Sequence, residues 1–281
     1  MKRLRIEHAT GFAYQGDVSA SYNEARMLPS STDSQFVLSS SLDIEPSTAV
    51  NQYVDYFGTR VAAFDVLSPH AELRITARSL VEVRPRPLEH VDLTWDRLAL
   101  EVPRSIETVE QLSLTARTKP HPEVADIARS IAGQHDHPGR AAHAIAAAIG
   151  DAVEYMHGIT GVHSTAAEAW EARKGVCQDM AHITLGALRE VGIPARYVSG
   201  YLHPKEHAEV GEAVAGESHA WVEWFAGDWQ GFDPTNNIEI GDRHVLVGRG
   251  RDYGDVPPLR GVYAGPFKSN LHVKVTITRE A

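Results

Sequence analysis

Hydrophobic and polar residues alternate in the first third of the chain. The pattern is clear in RLRIEH (residues 3–8) and in ELRITARSLVEVRP (residues 72–85), and breaks rich in Ser, Gly and Pro separate the alternating stretches. Strict alternation is typical of half-buried strands. We therefore predict an N-terminal all-β, sandwich-like domain over residues 1–88. The boundary is placed in RPRPLEHVD (residues 84–92), because proline cannot donate to a strand ladder.

The pattern changes to helical spacing beyond this boundary. Apolar residues recur every three or four positions in residues 121–133 and 138–155, and a third helix is expected to follow Cys177. Alternating stretches that predict strands then return, in residues 195–202, 219–225, 229–236 and 270–279. Helices followed by an antiparallel sheet indicate an α+β domain, here residues 89–281. The Gly- and Asp-rich stretch at 241–259 is interpreted as a surface loop.

Composition and charge narrow the class of protein. The chain has 281 residues and a net charge of −10, which argues against nucleic acid as a partner. It contains no apolar run near the ~20 residues of a membrane-spanning helix, and no apolar run follows the basic start, so neither membrane attachment nor a signal peptide is expected. A single cysteine excludes an internal disulfide and favours a cytoplasmic location. The sequence does not indicate an oligomeric state.

The single cysteine, Cys177, stands where a turn leads into a predicted helix. The partial positive charge of a helix N-terminus favours a thiolate there. A buried, unreactive cysteine is the alternative. A nucleophilic cysteine also needs a base and a group that orients the base. His219 at the start of one predicted strand and Asp233 near the end of the next could serve.

Three motifs resemble those of one family. GVCQDMAH (residues 175–182), SHAWVEWF (218–225) and GFDPTN (231–236) resemble, in order and spacing, the core motifs of the transglutaminase-like superfamily. Residues 8–29 resemble the β-rich leader of its bacterial members. The resemblance implies a papain/transglutaminase-like catalytic core with an antiparallel sheet, with Cys177 as nucleophile, His219 as base and Asp233 as orienting group.

The same resemblance implies an oxyanion hole. One donor would be the backbone N–H of Cys177, and family members add a side chain upstream of the cysteine. Tyr155 is the first candidate for this second donor, with Gln178 and Trp170 as others. The alternative for Tyr155 is a role as a core aromatic residue.

The expected activity is hydrolysis of a peptide or amide bond in a peptide or protein substrate, through an acyl-thioester on the cysteine. Two alternatives stay open. One is transglutaminase activity, in which an amine replaces water as the acceptor of the acyl group. The other is a non-catalytic peptide-binding module.

No cofactor or metal is expected. The chain has 15 histidines, but pairs such as His203 with His207, or His137 with His143, do not match a zinc signature. Asp179 is expected to cap the helix that follows Cys177, since a carboxylate in the first turn complements the helix dipole.

The turn between the strands of His219 and Asp233 raises a conflict. A two-residue turn at Gly227–Asp228, which the local sequence favours, would put these two side chains on opposite faces of the sheet. Their assigned roles require a shared face. We therefore predict an odd-numbered loop or a β-bulge, which would set Asp233 opposite Trp221.

Overall fold

A computed structural model describes residues 1–84 and 93–281. The expected domain boundary, residues 84–92, lies outside the described residues except for Arg84. The division of the chain at residues 88 and 89 therefore stays a prediction.

The first described range is built from strands, as the alternating pattern predicts. They are β1 (Lys2–Val18), β2 (Ala20–Ala25), β3 (Gln35–Glu45), β4 (Val50–Val54), β5 (Arg60–Val66) and β6 (His70–Val83). Along β6, buried residues such as Leu73, Ile75 and Ala77 alternate with more exposed ones. One side of this strand therefore faces a core.

Helices dominate the middle of the chain. They are α1 (Trp95–Glu101), α2 (Ile106–Glu110), α3 (Pro122–Ala132), α4 (Pro138–Ala152), α5 (Ala166–Ala172) and α6 (Cys177–Glu190). Proline occupies the first position of both α3 and α4, where its missing N–H costs no hydrogen bond. Within residues 1–84 and 93–281, none of the helices combines the length and apolar character needed to cross a bilayer.

Strands return after the helices and continue almost to the end of the chain. Two short ones lie among the helices, β7 (Glu154–Tyr155) and β8 (Lys174–Gly175). The others are β9 (Ala195–Leu202), β10 (Ala213–Gly216), β11 (Ser218–Phe225), β12 (Trp229–Asp233), β13 (Ile238–Glu239), β14 (His244–Gly250), β15 (Leu259–Ala264) and β16 (Ser269–Arg279).

The N-terminal strands form two sheets that are completed from the far end of the chain. One sheet has the order β10-β16-β1-β6-β3 and the other β15-β2-β5-β4. Residues of both sheets, among them Phe64, Val66, Leu73 and Ile75, share one hydrophobic cluster, as in a β-sandwich. The predicted domain division assigns residues 259–279 to the C-terminal unit. Alternation identifies a strand but not its partner, and β15 and β16 pair with β2 and β1.

The second unit is an α+β core. Its antiparallel sheet has the order β13-β12-β11-β9-β14. Val222 and Trp224 of β11, with Phe232 of β12, share a hydrophobic cluster with residues of α3, α4, α5 and α6. The expected α+β fold with an N-terminal strand-rich region is confirmed.

The two units are packed together along β14. Leu4 and Ile6 of β1 form a cluster with Tyr201 of β9 and with residues of β14. The side-chain amide of Gln35 covers the outer edge of β14, because its Nε2 donates to the Leu246 carbonyl (2.7 Å) and its Oε1 accepts from the Leu246 N–H (2.8 Å). A strand edge that would otherwise be open is thereby satisfied.

The loop between β11 and β12 resolves the conflict over strand register. The strands pair Phe225 with Trp229 and Val222 with Phe232, so three residues, 226–228, form the loop. Gly227 adopts φ 95° in this loop, a conformation that favours glycine. His219 and Asp233 consequently share a face of the sheet. The predicted odd-numbered loop is confirmed.

Helix α4 approaches the residue after Asp233 so closely that only glycine fits at the contact. A Cβ placed on Gly150 would lie 2.4 Å from the Pro234 carbonyl oxygen. We expect Gly150→Ala to lower the free energy of unfolding by about 1–3 kcal/mol, as overpacking does, although alanine is the better helix former. Urea denaturation measures the effect.

Gly133→Ala is the matched control for this prediction. A Cβ on Gly133, which follows α3, would meet its nearest neighbour at an ordinary 3.5 Å, and its φ of −67° suits alanine. We expect its stability to stay within about 0.5 kcal/mol of the wild type. Equal stability of the two variants would contradict the close contact.

Candidate active site

Cys177 is the first residue of the largely buried helix α6. Ala181, Leu185 and Leu188 of this helix are fully buried, whereas Cys177 itself is partly exposed. As the first helical residue, it has a backbone N–H without an intrahelical acceptor. The expectation of a thiol at the start of a buried helix is confirmed, and the cysteine is not fully enclosed in the core.

Asp179 closes the first turn of α6 as expected. Its Oδ2 accepts from the Val176 N–H (2.8 Å) and from the Thr160 hydroxyl (2.6 Å), and burial raises its pKa. Gly175 makes room for this carboxylate, since a Cβ there would lie 2.8 Å from the Asp179 Cβ. Gly175 belongs to strand β8, where it pairs with Tyr155. Glycine is therefore needed at this position for its small size and not for a turn.

His219 and Asp233 form a buried pair. His219 Nε2 lies 2.7 Å from Asp233 Oδ2, and the two side chains are 11 % and 0 % exposed. Asp233 Oδ1 accepts from the backbone N–H groups of Thr235 and Asn236, and its Oδ2 accepts from Asn236 Nδ2 (2.7 Å). Burial alone would raise the pKa of Asp233, but hydrogen bonds from His219 and His244 hold it well below its usual range. The carboxylate is therefore ionised.

The imidazole of His219 links this carboxylate to the thiol. Burial disfavours its charged form, yet hydrogen bonds with Asp233 and Cys177 outweigh that effect and raise its pKa to about 10. With Nε2 bonded to Asp233, Nδ1 is the ring nitrogen that remains for a bond with the thiol. The structure thus brings all three residues of the expected triad together, with His219 held in its charged form.

A second histidine, His244, contacts Asp233, and the sequence motifs do not predict it. His244 is buried, and its Nε2 lies 3.4 Å from Asp233 Oδ2. Its Nδ1 accepts from the Gly241 N–H (3.2 Å), which places its proton on Nε2. The indole of Trp221 packs edge-on against His244 (centroids 5.3 Å apart) and is 1 % exposed. Together these rings shield the carboxylate from water.

The interpretation of residues 241–259 as a surface loop conceals the strand that carries His244. That interpretation is wrong for His244–Gly250, which form β14 beside β9. The apolar residues in HVLVG were the available signal. The neighbouring Asp, Gly and Arg residues obscured it.

The three oxyanion candidates have different surroundings. Tyr155 is 41 % exposed and therefore is not a core aromatic residue. Tyr155 pairs with Gly175, two residues before Cys177. Burial of its hydroxyl, with the negative charges of Cys177 and Glu217, raises its pKa. Gln178 is 8 % exposed in the first turn of α6. Trp170 is 1 % exposed and donates its Nε1–H to Glu123 (2.9 Å), which gives it a structural role.

The histidine pairs weighed as metal ligands have other contacts. His203 Nδ1 accepts from the Lys205 N–H (3.1 Å), and His143 lies 3.2 Å from Glu239. In the part of the chain that the structure describes, His, Cys, Asp and Glu side chains form no group of three or more that could hold a metal ion.

Comparison with known proteins agrees with this geometry. Residues 4–82 match the bacterial transglutaminase-like N-terminal region, and residues 125–234 match the transglutaminase-like superfamily. Protein ML0607 of Mycobacterium leprae is 44 % identical over 285 residues, covering 100 % of both chains. A protein-glutamine gamma-glutamyltransferase of Pseudomonas aeruginosa is 34 % identical over 104 residues, covering 32 % of this chain and 15 % of that protein.

A solved structure shares the fold over nearly the whole chain. It is a crystal structure from Cytophaga hutchinsonii, described as a candidate cysteine protease. Its TM-score is 0.74 at 19 % identity, and the match covers 99 % of this chain and 97 % of that one. The matched regions, the full-length relative and the shared fold establish that this chain belongs to the transglutaminase-like superfamily.

Proposed function

We propose that the protein is a cysteine-dependent hydrolase that cleaves a peptide or amide bond through an acyl-thioester on Cys177. The observation that carries this proposal is the arrangement of three residues. A partly exposed thiol at a helix start bonds to a buried imidazole, and an ionised carboxylate holds that imidazole at 2.7 Å. Nucleophilic catalysis by cysteine requires this combination of groups.

Acylation follows from the protonation state of the pair. The Cys177 sulfur attacks the carbonyl carbon, a C–S bond forms, and negative charge moves to the carbonyl oxygen. His219 donates its Nδ1 proton to the departing nitrogen, and the C–N bond breaks. Asp233 keeps the ring oriented and stabilises its positive charge during this step.

Deacylation reverses the direction of proton transfer. His219 takes a proton from water, the water oxygen attacks the thioester carbon, and the C–S bond breaks to release a carboxylic acid. A primary amine in place of water would give a transamidated product. The local similarity to a gamma-glutamyltransferase favours this as the second candidate function. We place the reaction in the cytoplasm on the sequence argument alone.

A peptide-library cleavage screen with a labelled primary amine present tests the proposal. Hydrolysis predicts new carboxyl termini without incorporation of the amine, whereas transamidation predicts the amine attached to a glutamine side chain. Cys177→Ala serves as the background. If no peptide is turned over and the Cys177 thiol also resists small alkylating reagents, the protein is the non-catalytic peptide-binding module.

Tyr155 is proposed as the second oxyanion donor, beside the Cys177 N–H. We expect Tyr155→Phe to lower kcat by about 10²–10³, the usual effect of losing one such donor, with little change in KM. Gln178→Leu is the comparison, because Gln178 is the other candidate. Turnover of a substrate from the screen measures both. A large loss in Gln178→Leu with none in Tyr155→Phe would reassign the role.

A further inference from the structure

Glu217 lies beside Tyr155, the proposed oxyanion donor, and is open to solvent. It precedes His219 by two residues and accepts from the Tyr155 hydroxyl at 3.5 Å. His157 Nε2 lies 4.0 Å from its other carboxylate oxygen, and the rings of Tyr155 and His157 pack edge to face. The Glu217 side chain is 68 % exposed, so the carboxylate is open to a ligand.

Nearby carboxylates differ from Glu217 in having cationic partners. Glu154 pairs with Lys174 (3.3 Å), and Glu212 pairs with Lys205. Among the ion pairs of the two described ranges, Glu217 pairs with neither a lysine nor an arginine. Its neighbours are a tyrosine and a histidine, so neither a lysine nor an arginine offsets its negative charge.

The backbone around Glu217 is held in place. Strand β10 ends at the preceding residue and is paired with β16, with Gly216 opposite Val275. Strand β11 begins at the following residue and pairs with β9. Because both neighbours are fixed by strand pairing, the backbone of Glu217 has a defined position relative to His219.

We propose, building on the function proposed above, that Glu217 forms the anionic wall of a subsite for a lysine or arginine side chain beside the scissile bond. The cation pairs with the carboxylate and takes the place of its hydrogen bond from Tyr155. The Tyr155 hydroxyl is then released to donate to the oxyanion of the same substrate. Recognition of the charge is thereby coupled to turnover as well as to binding.

The first test needs no substrate, because Cys177 is the only thiol. Two methanethiosulfonate reagents, one carrying a trimethylammonium group and one a sulfonate group, modify the thiol by the same reaction. We expect the cationic reagent to react faster. Glu217→Gln should slow the cationic reagent about fivefold, the value of one solvated charge pair at close range, and speed the anionic one, so that the ratio of the two rates falls by at least about fivefold.

Glu154→Gln is the matched control. It removes the same charge from the neighbouring strand β7, at a carboxylate already paired with Lys174. We expect the ratio of rates to stay at the wild-type value. An equal fall in both variants would reflect only the net charge of the protein and would overturn the subsite.

The second test uses peptides that differ only in arginine or citrulline beside the scissile bond. We expect a higher kcat for the arginine peptide in the wild type, and equal kcat values for the two peptides in Glu217→Gln. Turnover of both peptides without a charge preference in the wild type would overturn the subsite and leave the hydrolase intact. Absence of turnover with any peptide, while the reagent ratio still depends on Glu217, would overturn hydrolysis and support the subsite.

Discussion

Cys177→Ala is expected to lose turnover by a factor of at least about 10⁴, because the variant has no atom that can form the acyl-enzyme. His219→Ala should lose nearly as much turnover, because no group then donates a proton to the leaving amine. Asp233→Ala should lose less, because an orienting group contributes less than a nucleophile. The values of kcat/KM for the three variants on one substrate measure this order.

The fold of Cys177→Ala should be unchanged, which separates this prediction from simple unfolding. The side chain is partly exposed, and alanine favours the helix that it begins. Circular dichroism and the melting temperature are the controls. Turnover that persists in a folded Cys177→Ala would contradict covalent catalysis.

Arg189→Met is expected to destabilise the protein by about 3–5 kcal/mol or to prevent folding. Arg189 lies near the C-terminal end of α6 and is 5 % exposed. Its guanidinium donates to acceptors from four segments of the chain: the carbonyls of Gln111, Ser113, Ala195 and Arg251, and the hydroxyl of Thr118. Methionine would remove all of these bonds. The Gln111 carbonyl would keep only its bond from the Ala195 N–H, and the Thr118 hydroxyl only those with Thr115. Each buried group left unpaired costs about 1–3 kcal/mol.

Burial lowers the pKa of Arg189 to about 10, so the side chain stays charged at neutral pH. Urea denaturation of Arg189→Met, or the soluble yield where the variant does not fold, measures its loss. Arg129→Met is the control, because Arg129 is 53 % exposed and pairs with Asp126 and Glu190 at the surface. We expect less than about 1 kcal/mol for it. Similar stability of the two variants would contradict the bridging role of Arg189.

Local patterns account for the elements that the sequence predicted correctly. Alternation located β1, β6 and β11, and helical spacing located α3, α4 and the helix that begins at Cys177. These patterns report only which side of an element is buried. They carry no information on which strands pair, and so the pairing of β16 with β1 was not foreseen.

The candidate site shows the same division. Cys177, His219 and Asp233 were found from motifs, and parity within two strands was enough to predict their shared face. His244 was not found, because it reaches Asp233 from a strand that no motif marks. Trp170 is a poor candidate because its Nε1–H is bonded to Glu123 of α3, a contact between two helices that sequence spacing does not show.

The most direct test of the account is the mass of the Cys177 peptide after the protein is mixed with an activated ester, such as p-nitrophenyl acetate, and quenched in acid. The account predicts one acetyl group on Cys177 and a burst of p-nitrophenolate equal to the enzyme concentration, with both much reduced in His219→Ala. An unmodified Cys177 in a folded wild-type protein, or acetylation at the same rate in His219→Ala, would contradict it.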